Sequence, residues 1–359
     1  MHAAMKHFIL GWTIILCGCI SSPQFPENTN TITGSTGAYI LCEGLFGMDN
    51  STLSRYDNQS NTVVNDYFAL QNKGLRLGDT GNDIVRWNQH IFIPVTKSRT
   101  IEKILIKDGT SAGRIKLGAG EEPQRIAILN DTIGYVTLLN DRIKQFNPTT
   151  LEIDPQHIAV GPAPEGIAVT NSTIFVANSG YGDLRKNEPK ASTISVINRQ
   201  TRQEIALLTN VINVRSLHIT NEGRTLYAMY SNLNTPTGLK GGIVQYDIRT
   251  LKETQRWTFR SPSVPTFNTR EDSLFVADSA GVWLINLMSS QSKPQLLFPK
   301  PLNNDQWYHI QKHPDNNTLW ISTYPQFSQK NGWVSVKDFK GQTLNTLNVL
   351  LTPRTILFF

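Results

Sequence analysis

The residues of this chain that could do chemistry are few and widely spaced. Arg125, Arg215 and Arg354 each lead into a short β-rich run, and Asp83 and Glu165 occupy comparable places in other runs. Tyr308 and His309 stand side by side at the start of one more. If the fold gathers these runs around one mouth, guanidinium and carboxylate groups would either grip a polar ligand or neutralise one another. There is no Gly-x-Ser-x-Gly turn, no phosphate-cradling glycine loop and no cysteine cluster beyond the first 19 residues. Cofactors and metals are therefore not expected. An enzyme is the minor reading, a lactone-type hydrolase with Glu165, Arg215 and His309 as its candidates.

Elements that could position such residues show in the internal repeat. Pro123-Gln124-Arg125-Ile126-Ala127 returns as Pro164-Glu165-Gly166-Ile167-Ala168, a shift of 41 residues. Each copy is followed by a polar turn and a β-rich stretch, Gly134–Thr137 or Ile174–Asn178, and then by two further strands. Related units start near Asp83, Ser216, Thr266 and Trp307. Four strands per roughly 40–50 residues is the arithmetic of propeller blades. The chain ends on Pro353–Phe359, which opens a repeat and stops, whereas the body begins at Tyr39-Ile40-Leu41, which matches a second strand. The C-terminal strand is thus expected to join the N-terminal blade and close a ring, leaving no free edge. The fold class is all-β, a seven-bladed β-propeller over residues 38–359; six or eight blades also fit, because the Pro265–Phe298 unit is degenerate.

In such a ring, loops leading into the innermost strands share one face with those joining second and third strands. The latter are long at Gly44–Asn50, Ser179–Ala191, Ser231–Gly241 and Thr323–Gly332, and carry Phe46, Tyr181 and Phe327. Insertions on one face mark a binding face, and aromatic walls with a few polar groups suit a large planar ligand or a glycan. The candidate binding residues are Phe46, Arg125, Glu165, Tyr181, Arg215, Tyr308, Phe327 and Arg354. A blander reading has the aromatics pinning long loops down. Cys42, inside Tyr39-Ile40-Leu41-Cys42, reads as core filler.

The first 18 residues read as a secretory leader: Lys6, then an apolar stretch from Phe8 to Leu16. That stretch is shorter than the roughly 20 residues a membrane span needs. It ends in Leu16-Cys17-Gly18-Cys19, which resembles the bacterial lipobox. The resemblance implies lipidation at Cys19, a membrane lipid anchor and a flexible tether over 19–37; a leader cleaved elsewhere is the alternative. Ile20 favours the outer membrane. The net charge of +6 is spread without a Lys/Arg run, so nucleic acid is not an expected partner.

Pro164–Ala168 with Ile174–Asn178 resembles the repeat of the YVTN-type, or YncE-like, propellers. The opening from Ile40 to Ser54, with Glu43-Gly44-Leu45-Phe46-Gly47 and Ser51-Thr52-Leu53-Ser54, is similar to that of Bacteroidetes propeller lipoproteins. Some of those capture cobalamin beside a TonB-dependent transporter. The resemblance therefore implies a surface protein binding cobalamin or another bulky nutrient, with such a transporter as partner. An envelope interaction scaffold is the other class that the loops allow.

Overall fold

The computed structural model describes residues 35–182, 184–231, 241–260, 262–289, 291–303, 305–325 and 329–359. The leader, Cys19, most of the tether and Phe327 lie outside them. The described residues form seven four-stranded antiparallel sheets, so the ring has seven blades, and the N- and C-terminal strands share one of them. In blade 1 the inner strand Pro353–Phe358 pairs with Gly37–Cys42, followed outward by Thr52–Asp57 and Thr62–Val64. The inner strands of blades 2 to 7 are Val85–Trp87, Pro123–Asn130, Pro164–Val169, Val214–Ile219, Thr266–Phe267 and Asp305–Lys312. The one helix among the described residues is short, Tyr67–Gln71, and none is long and apolar enough to cross a membrane.

Strand periodicity explains how the ring holds. Successive side chains point to opposite faces of a sheet, so a strand between two blades needs apolar residues at every position. Gly37–Cys42 is buried throughout. Its Tyr39 and Leu41 pack with Ile91, Ile93 and Ile104 of blade 2, while Ile40 and Cys42 pack with Trp320, Val334 and Val336 of blade 7. The same division recurs around the ring. Phe92 and Ile101 meet Val136 and Phe146 between blades 2 and 3, and Phe175 and Val196 meet Leu226 and Val244 between blades 4 and 5. Each such side chain contributes about 1.5–3 kcal/mol by leaving water, more than any ion pair at the rim.

Blade 6 departs from the pattern. Its inner strand, Thr266–Phe267, is only two residues long. Pro262 and Pro265 lie just before it, and proline has no N–H to give to a ladder.

Candidate functional site

The inner strands share an irregularity that builds the site. A register shift falls between Pro123 and Ile126, Pro164 and Ile167, Val214 and Ser216, Trp307 and His309, and opposite Leu41 and Cys42 in the strand of Arg354. A bulge inserts an unpaired residue and turns its side chain out of the sheet's alternation. The residues so placed include Gln124 and Arg125, Glu165, Arg215, Tyr308 and Arg354. In blades 2 and 6 the pairings of Gly81 with Val95 and Thr266 with Phe275 put Asn82 and Ser263 at the equivalent place. Each blade thereby gives one residue to an upper tier: Asn82, Gln124, Glu165, Arg215, Ser263, Tyr308 and Arg354. The following residues, Asp83, Arg125, Gly166, Ser216, Val264, His309 and Thr355, form a lower tier.

Neighbouring blades pair within these tiers. Arg215 Nε donates to Glu165 Oε2 at 3.0 Å, and Asn82 Nδ2 donates to Gln124 Oε1. Arg354 Nη1 donates to Tyr308 Oη at 2.5 Å and to Glu43 Oε2 at 2.7 Å, and Tyr308 Oη also donates to Glu43 Oε2 at 2.7 Å. In the lower tier Arg125 Nη1 lies 3.0 Å from Asp83 Oδ1 and donates to the Asn82 carbonyl. Every guanidinium thus has its own carboxylate, and the mouth carries no net charge. The carboxylate serving Arg354 is Glu43, which leads the loop out of the first strand. Sequence reasoning missed it, because only closure of the ring brings residues 43 and 354 together.

Burial shapes the electrostatics here. Burial opposes charge on Arg354, but the carboxylate of Glu43 and then Tyr308 outweigh it, so its pKa is raised. Glu165 raises that of Arg215. Burial pushes the Tyr308 phenol well above its usual range. His309 is pushed down to about 4, chiefly by burial, with Arg125 and Arg354 adding to the effect against a hydrogen bond to Gln311. It is a neutral imidazole at pH 7, and its Nε2 has no hydrogen-bond partner. Arg354 Nε and Asn82 Oδ1 are likewise buried and unpartnered. The arrangement offers an unused donor on Arg354 and unused acceptor capacity on Asn82 around an electrically balanced opening, which suits a polar ligand that both accepts and donates.

The structure thus brings Arg125, Glu165, Arg215, Tyr308 and Arg354 together. Phe46 and Tyr181 stand apart from them on the loops above, 67% and 47% exposed. Phe46 lies beside Lys97, whose Nζ is 4.9 Å from the ring centre and also pairs with Glu122. Below the upper tier is a cavity of about 380 Å³, bounded by Asp83, Arg125 and Ser216 and, toward blades 5 and 6, by His218, Met229 and Phe267. His218 is a second channel histidine, beyond the one that the sequence singled out. His309 and His313 have His-x-x-x-His spacing, a pair that the sequence reading missed; it suits one metal on a helix, but His309 lies in an extended strand that ends at Lys312, just before His313. Among the described residues no three His, Cys, Asp or Glu side chains stand together as a metal site requires. Cys42 is fully buried, and burial pushes its thiol up to about 12, which leaves it unreactive at neutral pH.

A family profile described as "Domain of unknown function (DUF5074)" matches residues 36–358. No curated protein matches the chain in sequence. Among solved structures, a quinonprotein alcohol dehydrogenase-like protein from Bacteroides thetaiotaomicron is similar with a TM-score of 0.70 and 16% identity. The match covers 90% of this chain and 78% of that one. Hydrazine synthase from Kuenenia stuttgartiensis is similar with a TM-score of 0.55 and 16% identity, over 70% of this chain and 74% of that one. These likenesses relate the fold in shape to other bacterial propellers, and at such identity they carry the fold alone.

Proposed function

Given that the chain belongs to the DUF5074 family, a domain of unknown function, we propose that it is a binding protein that captures a ligand on its loop-bearing face, over the channel mouth. The observation that carries this reading is the upper tier, where Arg215, Tyr308 and Arg354 converge on a charge-balanced opening with an unused donor on Arg354. Exposed Phe46 and Tyr181 supply apolar surface above it. The opening motif makes cobalamin the named candidate, handed to a TonB-dependent transporter by a protein tethered through Cys19. A corrinoid is too bulky for a cavity of about 380 Å³, so it would lie across the loops with its polar side chains toward the mouth.

The direct test mixes the full chain with cobalamin and follows corrin absorbance through gel filtration. Co-elution is expected at micromolar concentration, and Arg354→Ala should weaken it about tenfold or more. No co-elution of the wild-type chain would reject cobalamin. The anchor is tested separately, by incorporation of labelled palmitate in cells, which Cys19→Ala should abolish.

A second reading, an envelope interaction scaffold, draws on Met48 and Leu184. They lie 60% and 76% exposed in the same loops as Phe46 and Tyr181. Together they put apolar side chains in water on the loop-bearing face, which a protein partner would cover. Recovery of an envelope protein by in-cell cross-linking from position 48 or 184, with no cobalamin bound, would favour it.

A further inference from the structure

We propose that the channel holds a second binding site below the mouth, for one compact uncharged molecule with an apolar body and an oxygen-bearing end. The site goes beyond the capture reading, since it uses the lower tier and a gap that blade 6 leaves. Because the inner strand of that blade is only Thr266–Phe267, parts of blade 5 that a full strand would cover open toward the channel, and Tyr227, Met229 and Ile243 line the cavity. Phe267 stacks on His218 at 4.2 Å and meets the edge of Tyr227 at 5.1 Å, so its ring is fixed as a wall.

The volume decides between solvent and a ligand. At about 380 Å³ the space equals that of a dozen waters at ~30 Å³ each. Waters could pair with Arg125, His218 and Gln311 but not with Met229, Ile243 and Phe267, and ligand pockets begin at about 300 Å³. At the other end stands Arg125, whose side-chain hydrogen bonds run through Nη1 and which Asp83 already neutralises. His309 occupies the same tier, is only 7% exposed, and its Nε2 is unpartnered. Gln311, two residues on along the same strand face, lines the cavity. Buried groups that lack partners cost stability unless something meets them. An amide or a hydroxyl, which both accepts and donates, would meet Arg125 and His309 Nε2 without disturbing the ion pair. A carboxylate would compete with Asp83 for Arg125 and bring an uncompensated charge into the channel.

Benzamide and benzoate test this, since they share a ring and differ in charge. With the full chain, ligand-observed saturation-transfer NMR should show saturable benzamide binding, about tenfold or more tighter than benzoate. Ser216→Trp, which fills the cavity from the lower tier, should abolish it, and Arg125→Met should weaken it about tenfold. Circular dichroism checks that each variant is folded; should Ser216→Trp fail to fold, Arg125→Met decides. Absence of saturation up to ~10 mM, equal binding of benzoate, or benzamide binding unchanged by Arg125→Met would each overturn the proposal. Cobalamin co-elution reads the mouth and benzamide reads the cavity, so either can fail while the other stands.

Discussion

At the residue scale, this protein uses buried polar groups to define an opening rather than to stabilise the fold. His309 shows what that costs. Its folded pKa of about 4 lies below the usual 6.5, so between those values the unfolded chain binds a proton that the folded chain refuses. Stability is unaffected above pH 6.5 and falls as pH drops toward 4. The full loss is about 3 kcal/mol, at 1.36 kcal/mol per pH unit for a fully buried group. Urea denaturation of wild type and His309→Gln at pH 7 and pH 4.5 checks this. The variant should lose markedly less stability on acidification; equal loss in both proteins would refute the assignment. His90 and His313 are also shifted down by burial, so some dependence will persist in the variant.

At the scale of the element, the inner strands are built from a repeated irregularity. Pro-Gln-Arg-Ile-Ala in blade 3 and Pro-Glu-Gly-Ile-Ala in blade 4 put different residues at one bulged position, so Arg125 reaches the channel where Gly166 leaves room. That room is required by packing. A Cβ on Gly166 would lie 2.8 Å from Ser216 Cα and 2.9 Å from Leu217 N, both backbone atoms of blade 5. Gly166→Ala should therefore push two inner strands apart, at about 1–3 kcal/mol by analogy with overpacked cores. Thermal unfolding of the variant measures it, and an unchanged midpoint would mean that the strands yield freely. Arg125 and Arg215, by contrast, hold their geometry through carboxylates on neighbouring blades, and Arg354 through Glu43 of its own blade. The mouth is consequently as rigid as the ring that carries it.

For the whole molecule, closure is the decisive contact. Ala38 to Cys42 pair with Phe358 to Pro353, and Thr36 and Gly37 donate to the carbonyl of Phe359. Ile356 joins the core between blades 7 and 1, and Phe359 that between blades 1 and 2. Removing residues 353–359 strips blade 1 of its inner strand and takes Arg354 from Glu43. The truncated chain should lose its cooperative thermal transition altogether by far-UV circular dichroism. A transition retained at nearly the original temperature would show that the ends only fray.

The sequence by itself determined the ring. Repeat period, strand alternation and the unmatched ends are local signals, and they suffice because each blade is one supersecondary unit that must bury both faces against its neighbours. The arginines of the mouth were legible for the same reason, as fixed positions within the repeat. What only the tertiary structure decided is how those positions meet. Glu43 reaches Arg354 across the closure, 311 residues apart in sequence. Each guanidinium takes a carboxylate from a different strand or loop, and the two-residue inner strand of blade 6 opens a cavity beside blade 5. Pairing of charges and unfilled volume depend on distances between blades, and no period along the chain encodes a distance across the ring.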